Sequence, residues 1–350
     1  MAPPRIVRIG ILICGSLTGA VKEVNGDYPE VYTRYWKDTA PPNVRLIVDC
    51  FDVKNNEFPE ERRLDTYDMF MVTGSVTSAY DDDIPWVKKL VLFLRGLIND
   101  HPKVRVTGIC FGHQAVNRAL GGGCEPAGTW EVGPTTIHLS DVGRSIFGVD
   151  QLCLQEIHSD HVPLESLFKN FASGELRLVG STGPTINQGV VKFYPSSSGD
   201  VVRSPRDIHV LTLQGHPEFT ESIITGMVRQ NINNFGPVLN DYWGPKGGDY
   251  DGEPADKEGT GRRWSKCDGD VVGQVYWKML GVIPSVDHYG KPQGKEGVSV
   301  ESPNMRALSS YIKVESEGQW PSSSRGWRWT DGFRYVTSLF WSMLGMASRW

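Results

Sequence analysis

Three side chains in this sequence have the types and spacing needed for acyl-transfer chemistry: Cys110, His216 and Glu218. Cys110 stands in Gly108-Ile109-Cys110-Phe111-Gly112, the G-x-nucleophile-x-G pattern of a strand-to-helix elbow with cysteine in place of serine. Glycine is demanded on either side because a Cβ would collide across so sharp a turn. The turn also sets the sulfur at the start of the next helix, where unpaired N–H groups and the helix dipole favour a thiolate. A lone cysteine closing a core strand is more often a packing residue. The paired glycines favour the nucleophile here, on condition that a base lies within reach.

His216 and Glu218 are that candidate base and its orienter. They stand two residues apart, so on an extended backbone both side chains share a face, and Pro217 pushes His216 into the extended region. Taken alone, His216-Pro217-Glu218 is more often a plain loop ending a strand, but a buried strand that delivers the pair to the same sheet edge as the elbow shifts the balance. The reaction also needs donors for an oxyanion. The N–H of Phe111, next after the nucleophile, supplies one, and the Gly74 backbone in Thr73-Gly74-Ser75 is the candidate for the second.

The elements that must position these groups alternate. Arg5 to Cys14, Val44 to Phe51, Tyr67 to Thr73, Val104 to Gly108 and Ile208 to Gln214 read as β-branched, apolar strands. Tyr28 to Trp36, Pro85 to Ile98, the stretch after Gly112 and Thr220 to Ile232 read as helices. Strands alternating with helices predict an α/β fold with a doubly wound, mostly parallel sheet. Ligands bind at the carboxyl ends of such strands, where Gly74, Cys110 and His216 all fall. Short strand-like runs at 135–139, 152–157, 176–179 and 189–193 are expected to form an antiparallel edge to this sheet.

The 350 residues carry a net charge of −5, which offers no basic field for nucleic acid or an anionic membrane. No apolar run reaches the length of a membrane span. The first strand is broken by Arg8 and does not read as a signal peptide. Six cysteines (Cys14, Cys50, Cys110, Cys124, Cys153 and Cys267) show no C-x-x-C pair, so reduced thiols in a cytoplasmic protein are expected, with no disulfides and no zinc cluster. His158 and His161 flank Asp160, but two histidines and one aspartate are a thin ligand set, and a structural or substrate-rim role is expected in place of a metal.

Residues 1–243 are read as the catalytic domain and 244–350 as a linker and irregular, Trp-rich C-terminal extension. Residues 244–261 are rich in Gly, Pro, Asp and Lys, a weak helix is expected from Val271 to Leu280, and 320–350 is dense in Trp and Arg. For the last apolar segment, docking on the main domain, a partner contact and a non-native product of gene prediction all stay open.

Gly108-Ile109-Cys110-Phe111-Gly112-His113-Gln114, Thr73-Gly74-Ser75 and Gly215-His216-Pro217-Glu218 together resemble the class I glutamine amidotransferase family. Gly74-Ser75 with the Pro85-Trp86 helix, Trp130-Glu131-Val132-Gly133 and His158-Ser159-Asp160-His161-Val162 resemble its free-standing branch, which includes plant γ-glutamyl peptidases and fungal proteins. The resemblance covers roughly residues 5 to 240. It implies a flavodoxin-like fold, a Cys110-His216-Glu218 triad, and contact of Ser75, Gln114, Glu131 and Gly133 with a γ-glutamyl substrate. It implies attack on a γ-glutamyl amide, a γ-glutamyl thioester, release of ammonia or an amine, and hydrolysis, with no cofactor. The donor is glutamine, whose ammonia would feed a separate synthase, or a γ-glutamyl peptide such as glutathione. A role in specialised biosynthesis follows from the resemblance alone. The alternative from a different class is a non-catalytic binding or regulatory protein that retains the fold.

Overall fold

A computed structural model describes residues 3–195, 203–231, 264–282 and 299–301. All of them fall in one compact unit, Met1–Ala307. The expected linker at 244–261 and the Trp-rich 320–350 lie outside the described residues.

The main sheet starts from strands whose side chains are apolar on both faces, as burial between two helical layers requires. They are β1 (Arg5–Ile13), β2 (Val44–Asp52), β3 (Met69–Val72), β4 (Arg105–Ile109) and β10 (Ile208–Leu213). The remaining strands are β5 (Glu125–Leu139), β6 (Gln151–His161), β7 (Leu176–Leu178), β8 (Gly180–Ser181), β9 (Gly189–Phe193) and β11 (Ser299–Glu301). The sheet order is β11-β2-β1-β3-β4-β10-β9-β7. The first six are parallel, while β9 and β7 run antiparallel at the edge.

Among the described residues the helices are α1 (Gly19–Asn25), α2 (Tyr28–Asp38), α3 (Pro85–Asp100), α4 (Phe111–Ala119), α5 (Asp141–Phe147), α6 (Phe168–Ser173), α7 (Glu221–Gln230) and α8 (Gly269–Met279). α2 starts from a capping box in which the Asp27 carboxylate accepts from the first turn and Glu30 reaches back to the Asp27 N–H. α3 opens with Pro85, whose missing N–H is no loss at a first helical position. Leu90, Leu94 and Leu97 of α3 pack with Phe70, Val106, Phe111 and Ala115 into a core under the β3–β4 part of the sheet.

Two expectations change. The runs at 135–139 and 152–157 do not join the main sheet. They belong to the long strands β5 and β6, which pair with each other antiparallel from Glu125↔His161 to His138↔Gln151 and, with β8, form a separate three-stranded sheet. Pairing along that length satisfies their backbone groups mutually, leaving the short β7 and β9 to make the edge. The backbone bridge Gln155↔His216, with the His216 N–H 2.8 Å from the Gln155 carbonyl oxygen, ties this small sheet to the end of β10.

The second change concerns the segment 264–282, which the sequence reading placed in the extension. It packs within the same unit as the main sheet. Tyr276 of α8 packs tilted and Trp277 edge-on against Trp36 of α2, and all three are fully buried. Trp277 Nε1 donates to Thr39 Oγ1 at 3.1 Å. The Asp268 carboxylate and N–H both bond the backbone of Cys153 in β6.

Candidate active site

β4 delivers Cys110, and α4 begins at the very next residue. Between them Cys110 takes φ 55° and ψ −110°, a conformation rare for any residue with a Cβ and costing on the order of 1–3 kcal/mol. Its neighbours explain why the chain tolerates the turn. A Cβ on Gly108 would lie 2.3 Å from the Gly112 carbonyl oxygen, and one on Gly112 would lie 2.2 Å from that of Val72. Both glycines are therefore fixed by close backbone approach, as the elbow pattern requires.

β10 delivers the second half of the site. His216 is 2% exposed and its Nδ1 lies 2.7 Å from Glu218 Oε1. Its ring stacks on Phe219 with centroids 3.9 Å apart. The other nitrogen, Nε2, is buried without a hydrogen-bond partner among the described residues. Burial works against the imidazolium, yet the Glu218 carboxylate and Cys110 outweigh it and raise His216 from 6.5 to about 10. Gly74, at the end of β3, closes the group: a Cβ there would sit 2.9 Å from His216 Cε1 and 3.8 Å from Cys110 Cβ. Cys110, His216, Glu218 and Gly74 thus meet at one edge of the sheet.

The two candidate oxyanion donors are placed differently. The Phe111 N–H occupies the first position of α4, where no intrahelical acceptor exists. The Gly74 N–H instead donates to the hydroxyl oxygen of the buried Tyr32 at 3.1 Å. Gly74 can serve an oxyanion only by exchanging that bond.

The residues implied as substrate contacts lie on three elements. Ser75 follows Gly74, half-buried, and accepts from the Thr77 N–H. Gln114, on α4, donates to the Asp160 carbonyl at 3.0 Å and to Gln214 Oε1 at 3.2 Å. Glu131 and Gly133 belong to β5. Glu131 Oε2 accepts from Gln188 and pairs with His158, which also faces Glu156 at 3.3 Å. Burial lowers and the two carboxylates raise the His158 affinity for a proton; the carboxylates win, so it lies well above its usual range. Within the same buried group, burial raises Glu131 but His158 brings it below its usual range, whereas burial dominates at Glu156 and raises it. Gly133 has φ +86°, and Trp264 covers it at a distance where a Cβ would meet the indole at 2.8 Å. His158 is therefore part of a buried Glu–His–Glu group, while Asp160 accepts from Ser78 and His161 pairs with Glu125.

Tyr32, Gln155, Glu156 and Trp264 contribute to this region without a motif to announce them. Tyr32 and Gln155 are single positions in elements recognised only by their periodicity. Trp264 comes from beyond the region of family resemblance.

A parallel α/β sheet that presents a cysteine elbow and a buried His–Glu pair on one edge defines a class of fold, and the comparisons agree with it. The solved structure of the protein SMU.1228c superposes with a TM-score of 0.51 over 79% of this chain and 98% of that one, at 16% identity, a likeness of fold. No protein-family profile matches the chain. Among curated proteins, a glutamine amidotransferase-like protein of Schizosaccharomyces pombe is 30% identical over 219 residues, covering 61% of this chain and 76% of the relative. Gamma-glutamyl peptidase 3 of Arabidopsis thaliana is 32% identical over 198 residues, covering 53% of this chain and 68% of the relative. The chain belongs to the glutamine amidotransferase-like family.

Proposed function

We propose that this protein hydrolyses or transfers the γ-glutamyl group of a γ-glutamyl amide through a thioester on Cys110. The single observation that carries the reading is the convergence of a strained Cys110 elbow with a buried imidazole held 2.7 Å from Glu218. Cys110 gives its thiol proton to His216, and the sulfur attacks the substrate's γ-carbonyl carbon. An imidazole whose protonated form is stabilised as strongly as that of His216 is a ready acceptor for this proton. The tetrahedral oxyanion is met by the Phe111 N–H and, once freed from Tyr32, by the Gly74 N–H. Collapse breaks the C–N bond; the leaving ammonia or amine takes the proton back from His216. A water then gives its proton to His216, attacks the thioester and releases glutamate, returning the proton to sulfur.

Ser75, Gln114, Glu131 and Gly133 are assigned to the γ-glutamyl pocket. No cofactor is needed for these steps. The reading places the protein in the cytoplasm. No helix among the described residues is long and apolar enough to cross a membrane. A separate synthase is the partner proposed if glutamine is the donor.

The test is to incubate the purified full chain with glutamine and with glutathione and to measure glutamate, ammonia and Cys-Gly. Turnover of one donor that vanishes in Cys110→Ala is expected. Equal turnover in Cys110→Ala contradicts the nucleophile assignment, and no turnover of either donor contradicts the reaction.

A further inference from the structure

The elbow motif holds one buried titratable side chain that the proposed reaction does not use. His113 stands three residues after Cys110 on α4 and is fully buried. Its Nδ1 lies 2.8 Å from Oγ1 of Thr212, itself fully buried on β10. Asn117, one turn further along α4, completes the group. Its Nδ2 donates to the His113 carbonyl oxygen at 2.8 Å and lies 3.2 Å from His113 Nδ1 and 3.4 Å from Thr212 Oγ1. That carbonyl admits only the NH2 side of the amide, so Nδ1 faces an amide donor on one side and the Thr212 hydroxyl on the other. Nδ1 therefore accepts, the Thr212 O–H donates to it, and the ring proton sits on Nε2. Burial first, then His158 and His161, push His113 down to about 3, so the ring is neutral and keeps this role at neutral pH.

Thr212 stands beside Gly108 in the β4–β10 register, and the next residue, Leu213, offers its carbonyl oxygen to the Cys110 N–H at 3.0 Å. Three residues beyond Leu213 the same chain reaches His216. We infer that His113 and Thr212 are positioning residues for the nucleophile: their side-chain bond, braced by Asn117, fixes the first turn of α4 on the strand that leads to the base, and so sets Cys110 against His216. The inference rests on the proposed Cys110 chemistry. A backbone at φ 55° persists only where its surroundings over-determine it. Gly108 and Gly112 permit the turn, but a permissive residue does not hold it. The Cys110 N–H bond anchors the chain at the turn and the His113–Thr212 bond anchors it just after, both on β10. Neither bond has to break for thiol attack, since neither oxyanion donor takes part in them. A bond that served only to satisfy buried polar groups would stabilise the fold and leave the chemistry of each folded molecule unchanged.

The decisive pair is Thr212→Val, which keeps the shape and removes the hydroxyl, and Thr212→Ser, which keeps the hydroxyl, both in the full chain. From the helix side, His113→Asn keeps an acceptor near the place of Nδ1 and His113→Leu does not. Kinetics are measured on whichever donor the wild type turns over. Alkylation of Cys110 by iodoacetamide at neutral pH is followed on the Cys110 peptide by mass spectrometry, with circular dichroism as a check on folding. In Thr212→Val, kcat is expected to fall about tenfold or more with KM within about twofold, the scale on which a small misplacement of a reacting group is felt. Cys110 alkylation is expected to slow and the spectrum to be retained. Thr212→Ser is expected to keep most of what Thr212→Val loses. An unchanged kcat in Thr212→Val, a loss confined to KM, or a Thr212→Ser no better than Thr212→Val overturns the inference. Should Thr212→Val not fold, His113→Asn and His113→Leu decide, and equal rates in those two overturn it. Failure of both Thr212→Val and His113→Leu to fold also overturns it, because the bond then serves folding alone. The alkylation arm separates the two levels. Slower alkylation of Thr212→Val with no turnover of either donor by wild type rejects the thioester reaction and leaves the positioning of Cys110, whereas wild-type turnover with a normal Thr212→Val rejects the positioning and leaves the reaction.

Discussion

At His216, burial and charge pull in opposite directions. Burial alone makes the imidazole a poor base, while Glu218 at 2.7 Å and the adjacent Cys110 carry it from 6.5 to about 10. The consequence for stability has a definite sign. Between those two values the folded protein holds a proton on His216 that the unfolded chain has given up. Stability from this pair is therefore complete below about 6.5 and lost as pH rises toward about 10. Urea unfolding of wild type and His216→Gln at several pH values across that window checks it. The stability difference between the two proteins is expected to shrink as pH rises, and a constant difference contradicts the assigned protonation. That Cys110 and Phe111 share a sheet edge with His216 and Glu218 was legible in the sequence because glycine spacing and a His-x-Glu pair, each at the end of a predicted strand, have few other reasons to coexist. The state of the Gly74 amide was not. A backbone N–H carries no sequence signal of where it points, and its Tyr32 partner lies 42 residues away.

Among the elements, the strands and helices of the doubly wound sheet follow directly from apolar periodicity, and the helices start at Tyr28, behind a capping box, and at Pro85, a first-position proline. The separate β5–β6 sheet was not legible, since an antiparallel pair between short apolar runs and an edge to a larger sheet look alike in one dimension. Gly133, with φ +86°, lies in β5 against Trp264. The segment 264–282 is the sharper case. Its sequence is too short and too mixed to declare that it packs on α2, yet Cys267 Sγ lies 3.8 Å from the His216 carbonyl oxygen, and a Cβ on Gly269 would meet that of Pro217 at 2.1 Å. This segment braces the loop bearing His216 and Glu218 from behind. Trp277→Ala is accordingly expected to cost about 3–5 kcal/mol in urea unfolding, the usual cost of emptying a large buried aromatic site. A loss below about 1 kcal/mol contradicts the packing of α8 on Trp36.

For the whole molecule, the site lies where doubly wound sheets place their ligands, at the carboxyl ends of β3, β4 and β10. Fold and family were legible because both reside in the spacing of a few motifs across one sheet edge. The donor was not, because glutamine and a γ-glutamyl peptide share the group that Cys110 attacks. That shared group also supplies the most direct test. Full-length protein is mixed with glutamine or glutathione, quenched in acid within the first turnovers, digested and examined by mass spectrometry. The expected result is one γ-glutamyl residue attached to the peptide that contains Cys110, absent from Cys110→Ala and accumulating in His216→Ala only slowly if at all. Turnover with no such adduct on Cys110, or an adduct at another residue, contradicts the thioester reaction.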